Sequence, residues 1–141
     1  MAGRRRPTPE KLFQAKLVAA LHTRGYAVDH TYALRTDDGS WRTGSTLKGK
    51  PDLLAIRKPR VLAIEVKAAD GRLRPEQLAV LSMWSEIPSA RAWVLDPSVP
   101  WELILSWIDN SMDAPRAFGF TPMEWIDAWR VVAPASVRKP R

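Results

Sequence analysis

Residues 48–77 read KGKPDLLAIRKPRVLAIEVKAADGRLRPEQ, and two apolar runs within that stretch, DLLAI and VLAIEVKA, sit among Asp52, Glu65 and Lys67. Apolar residues at consecutive positions mark strands covered on both faces, which belong in the middle of a sheet rather than at its edge. KPR between the runs reads as a tight turn, so the two strands form a hairpin. Centred between Lys58 and Pro59, the hairpin sets position 57 against 60 and 56 against 61, and Asp52 falls opposite Glu65. Side-chain alternation then gathers Asp52, Glu65 and Lys67 on one face. A three-residue turn would instead send Asp52 to the other face.

Like charges facing each other in a sheet are unfavourable, so two carboxylates there call for a cation between them. Lys67 is one candidate, in a private ion-pair network. The other is a hard divalent ion, since Mg²⁺ takes one or two carboxylates, keeps several waters and leaves positions for a phosphate. Phosphodiester hydrolysis uses such a set: the ion polarises a phosphoryl oxygen and acidifies a water, while an ammonium steadies developing charge.

Around this centre the chain reads as a mixed α/β domain. Thr8 and Pro9 open a helix with Phe13, Leu17, Ala20 and Leu21 at helical spacing, and Gly25 ends it. YAVDHTYAL alternates like a strand, and RTDDGSWRTGSTLKGK is a polar loop or a short hairpin. Pro75 begins a helix carrying Leu78, Leu81 and Trp84; ARAWVLD is a further strand, and WELILSWID a helix with Trp101, Ile104, Leu105 and Ile108 on one side. AFGF lies in a loop, after which Thr121, Pro122 and Glu124 form a capping box for a last helix.

The chain has 141 residues, 45% of them hydrophobic and 26% charged, which suits one globular domain. No apolar run is long enough to cross a membrane, LFQAKLVAAL contains a lysine and lacks a cleavage site, and cysteine is absent. Disulfides and thiolate ligands are excluded, and a cytoplasmic location is expected. The net charge of +7 points to a polyanionic partner. Arg4, Arg5, Arg6, Arg138, Lys139 and Arg141 supply six of the seven, and inside the body Arg42 to Arg60 is locally basic. His22 and His30 have no metal-like spacing and read as structural or surface residues.

Pro51-Asp52 followed by Glu65-Val66-Lys67 is similar to the signature of the PD-(D/E)xK nucleases. GKPD before the first strand, IEVK in the second and GRLRPEQ opening the next helix resemble the VRR-NUC branch, which is related to the Holliday junction resolvases. That family also carries a glutamate followed four residues later by a glutamine on an N-terminal helix, matched by Glu10 and Gln14. The resemblance covers about residues 8 to 108 and leaves out the last helix.

It implies a restriction-endonuclease-like fold, with a mixed central sheet flanked by helices and an extra C-terminal helix. Asp52, Glu65 and the Val66 carbonyl would hold Mg²⁺ or Mn²⁺, Lys67 would act at the attacking water, and Gln77 and Glu10 would complete the catalytic set. Lys48, Lys50, Arg42 and Arg72 are the expected phosphate contacts, with Trp41 against a base. The expected organisation is a disordered basic arm at 1–7, a nuclease core at 8–110, a loop and helix at 111–133 and a basic tail at 134–141. The activity implied is metal-dependent endonucleolytic cleavage of DNA, with branched DNA such as four-way junctions as substrate and a homodimer as the acting form. The rivals are a sequence-specific restriction or homing-type endonuclease and a non-catalytic DNA-binding module with a nuclease fold.

Overall fold

The computed structural model describes residues 6–30, 33–35, 41–43 and 49–120, with backbone alone at 33–35 and 41–43. Lys48, the side chains of Trp41 and Arg42, most of the N-terminal arm, and the expected final helix and basic tail lie outside the described residues. Helix α1 spans Pro9–Thr23 and begins as its sequence requires: Thr8 Oγ1 accepts the Lys11 N–H at 3.2 Å, with proline in the first turn. Gly25 adopts φ +83° just past its end, a left-handed conformation that glycine takes at no steric cost.

A five-stranded mixed sheet follows, formed by β1 (Ala27–His30), β4 (Leu53–Arg57), β5 (Arg60–Val66), β6 (Ala90–Leu95) and β7 (Ala117–Phe118), in the order β1-β4-β5-β6-β7. The first two pairings are antiparallel and the last two parallel. β4 and β5 are interior strands, as their unbroken apolar runs demand. Helices α2 (Pro75–Ser85) and α3 (Trp101–Asp109) make the crossovers that parallel strands need.

Two expectations change in detail. YAVDHTYAL is not one strand: Ala27–His30 pairs with β4, whereas β2 (Ala33–Arg35) pairs with β3 (Trp41–Thr43) in a separate two-stranded ladder. AFGF is not simply a loop, because Ala117–Phe118 extends the sheet beside β6. The Arg116 carbonyl accepts the Ala92 N–H at 2.9 Å, and the Phe118 ring packs edge-on to Trp107 at 4.7 Å. Neither pairing leaves a periodic signal in segments this short.

Alternation along β5 divides the core. Leu62, Ile64 and Val66 join Leu17, Leu21, Trp93 and Ile104 on the side of α1 and α3. Ala63 turns the other way, into a smaller cluster with Leu81 of α2 and Ala92. Each fully buried Leu or Ile stabilises the fold by roughly 1.5–3 kcal/mol, so the first cluster carries most of the burial energy. Among the described residues the second cluster is the smaller, with Leu54, Trp84 and Val94 partly buried around it, and Glu65 and Gln77 are buried on its side of the sheet.

Gly49, just before β4, sits against the first turn of α2. It has φ +86°, and a Cβ there would lie 2.3 Å from the Glu76 carbonyl oxygen. Gly25 has a similar φ, but a Cβ there would meet only the Arg57 side chain, at an ordinary 3.9 Å. In urea melts, Gly49→Ala should therefore cost clearly more than Gly25→Ala, which is limited to the ~1–2 kcal/mol of a left-handed alanine. Equal losses would contradict the close approach of this loop to α2.

Candidate active site

The turn between β4 and β5 sets Arg57 against Arg60 and Leu53 against Ile64, the register expected of a turn centred between Lys58 and Pro59. One step further, Asp52 stands opposite Glu65, and both lie on the α2 side of the sheet. Asp52 Oδ2 accepts the Val66 N–H at 2.9 Å. In this ladder the even-numbered residues of β5 aim their backbone groups at β4, so the Val66 carbonyl points toward position 51. Proline at 51 has no N–H with which to carry the ladder past Leu53, and the Asp52 side chain takes the Val66 N–H instead. A proline before the aspartate thus has a physical use.

Glu65 is 2% exposed. Its Oε1 accepts from Gln77 Nε2 at 3.0 Å and lies 3.5 Å from Lys67 Nζ. Lys67 Nζ in turn donates to Gln77 Oε1 at 3.1 Å, and the same oxygen takes the Arg74 N–H at 2.9 Å. Gln77 therefore caps α2 and fixes the site with one side chain. Gly71, in the turn after β5, passes against the stem of Lys67, where a Cβ would lie 3.2 Å from the lysine's own. Any side chain there would press on the lysine.

The electrostatics are unbalanced. Burial first, and the Asp52 carboxylate beside it second, push Glu65 up to about 8 against the opposing pull of Lys67. Glu65 Oε2 is buried with no hydrogen-bond partner, and Asp52 has no ion-pair partner among the described residues. One ammonium faces two carboxyl groups. These groups fit a hard divalent ion: an orphaned carboxylate oxygen, a second carboxylate and a backbone carbonyl are all oxygen donors. No group of three or more His, Cys, Asp or Glu suited to a metal occurs among the described residues, so the fit rests on two carboxyl groups and a backbone carbonyl.

Asp52, Glu65, Val66, Lys67 and Gln77 thus come together. Glu10 does not join them among the described residues; it is partly buried in the first turn of α1, a helix packed on the opposite face. Lys50 pairs with Asp29 at 2.5 Å, and Arg72 is exposed in the loop before α2. Sequence reasoning did not single out Asp29 or Gly49. Asp29 lies opposite Leu54, on the α2 side and close to the start of β4, a placement that only the β1–β4 register discloses.

No family model matches the chain, and no curated protein or solved structure matches it.

The raised Glu65 carboxyl has a consequence for stability in the absence of metal. The unfolded carboxyl ionises near 4.5 and the folded one near 8, so between those values the folded state holds a proton that the unfolded state has lost. Stability from this group is complete below about pH 4.5 and declines as pH rises towards 8. Chemical denaturation in EDTA across that window should show the decline in the wild type and a flatter profile in Glu65→Gln. Parallel profiles would contradict the buried, proton-holding carboxyl.

Proposed function

We propose that this chain is a divalent-metal-dependent endonuclease that hydrolyses DNA phosphodiester bonds, with branched DNA as its substrate class and a restriction-endonuclease-like fold. The observation that carries the proposal is the convergence of Asp52, Glu65 and Lys67 on one sheet face, with Gln77 bridging the last two. The resemblance of PD, EVK and GRLRPEQ to the VRR-NUC nucleases supports the same reading, and the basic sequence between Arg42 and Arg60 suits a polyanion. No helix among the described residues is long and apolar enough to cross a membrane.

Asp52, Glu65 and the Val66 carbonyl are the groups that would hold Mg²⁺ or Mn²⁺. The ion when bound supplies Lewis-acid polarisation of a phosphoryl oxygen and acidifies a coordinated water. The chain's own residues do the positioning. Gln77 and Glu65 hold the Lys67 ammonium at the rim of the site, where its N–H groups orient the attacking water and stabilise charge on the phosphate oxygens. Gln77, anchored to the first turn of α2 through the Arg74 N–H, keeps Glu65 Oε1 occupied, so the other carboxyl oxygen is the one that would serve a bound ion. A cut in each of two opposed strands of a four-way junction takes two such centres, which a two-fold homodimer would supply.

Incubation with labelled four-way junction, flap, duplex and single-stranded DNA tests this directly. Cleavage should require Mg²⁺ or Mn²⁺ and favour the junction, and Glu65→Ala or Lys67→Ala should lower turnover by at least ~100-fold with binding largely kept. Lys67→Arg should also be poor, since a planar guanidinium does not replace a compact ammonium. Undiminished cutting in EDTA would refute the proposal, and preference for one duplex sequence would favour a restriction-type enzyme. Light scattering should show a dimer that makes paired cuts; a monomer making single nicks would replace the resolvase reading with a nicking one.

A further inference from the structure

The hairpin that carries two carboxylates at one end carries two guanidinium groups at the other. Arg57 stands directly opposite Arg60, and facing like charges in a ladder are destabilising unless a counter-ion lies between them. Both residues share the alternation of Ala55 and Leu62, so they belong to the α1–α3 side of the sheet. There Arg57, Lys58, Pro59 and Arg60 line a cleft of ≈340 Å³ together with Tyr26 and Asp109.

The acid in this cleft is already engaged, because Arg24 Nε donates to Asp109 Oδ1 at 2.6 Å. Arg60 donates to Ser111 Oγ at 2.5 Å, which fixes one guanidinium in place. Arg57 and Lys58 are exposed and have no hydrogen-bond or ion-pair partner among the described residues. Behind them the buried Arg91 donates to main-chain carbonyls, those of Ala114 and Met112 included. Burial, then Arg116 and Arg60, hold its guanidinium below the ordinary value. Positive charge is in excess at this end of the sheet.

We propose that the cleft between the β4–β5 turn and the end of α3 is a phosphate-binding site, in which the Arg57 and Arg60 guanidinium groups and the Lys58 ammonium share one phosphate group. Planar guanidinium forks match phosphate oxygens in pairs, and a bound dianion removes the repulsion between the facing arginines. The five steps of β5 from Arg60 to Glu65 separate this site from the carboxylates by about 17 Å at ~3.3 Å per residue. It is a second site, not an extension of the first. The phosphate belongs either to a nucleic-acid backbone or to a free phosphorylated ligand.

Two measurements test the site and tell the sources apart. Thermal melts in EDTA with inorganic phosphate, at ionic strength matched with NaCl, compare the wild type, the double variant Arg57→Gln/Lys58→Gln and the control Lys11→Gln. Phosphate should raise the melting temperature of the wild type and the control by a few degrees and leave the double variant unmoved. Because both altered residues are exposed, the double variant should fold. The second measurement, which also rests on the nuclease reading, is the salt dependence of junction binding in a Glu65→Gln background. Loss of about 1–2 from the slope of log K against log salt in the double variant identifies the backbone as the source, and an unchanged slope identifies a free ligand. No phosphate shift in the wild type, or the same shift in all three proteins, would overturn the proposal.

Discussion

Arg57 pairs with Arg60 across a two-residue turn, and from that pairing the position of every charge on the hairpin follows. Asp52 meets Glu65 because the register continues without a bulge, and both turn toward α2 because five alternating steps separate Glu65 from Arg60. A slip of one residue would send Asp52 to the α1–α3 side, among the buried Leu53, Ile64 and Val66. The apolar residues of β4 and β5 oppose that slip. Core packing and site geometry are therefore one constraint: the burial of Leu53, Leu62 and Ile64 is what holds two carboxylates face to face.

The sheet tolerates this arrangement because its two sides are unequally filled. On the α1–α3 side large residues close the core, whereas on the α2 side Ala63 and Ala92 are small and the helix presents Gln77 near its start. The Gln77 amide accepts from Arg74 and Lys67 and donates to Glu65, so the helix end and the site are locked together. Gly49 seals the other flank against the Glu76 carbonyl. What stays unsatisfied is the carboxyl pair, with Glu65 kept protonated by burial and by Asp52 and one of its buried oxygens unpaired. A scaffold selected only for stability would gain by replacing such a pair with apolar residues; the proposed function gives a reason to keep it.

Much of this was legible in the residues themselves. DLLAI and VLAIEVKA announced interior strands, and KPR between them announced the turn, which together located the facing carboxylates. Thr8 with Pro9 announced α1, and Pro75 announced α2. Other features depend on pairings distant in sequence. Asp29 meets Lys50 only through the β1–β4 register, and Ala117–Phe118 becomes a strand only because β6 offers an edge. Gly49 carried no local signal distinguishing an ordinary flexible position from one pressed against a helix end. Glu10, placed in the site by resemblance, belongs to a helix on the other face, a relation that helical periodicity does not encode.

Thermal unfolding of the wild type and Asp52→Asn, each in EDTA and in Mg²⁺ or Mn²⁺, addresses the facing carboxylates most directly. Asparagine keeps an oxygen for the Val66 N–H and removes the charge that opposes ionisation of Glu65, so in EDTA the variant should be as stable as the wild type or more so. Added metal should raise the melting temperature of the wild type and do much less for the variant, because an ion stabilises only the state that binds it. A loss of ~3–5 kcal/mol in the variant regardless of metal would show instead that Asp52 is one half of a structural ion pair, and that this end of the hairpin is scaffold rather than a metal site.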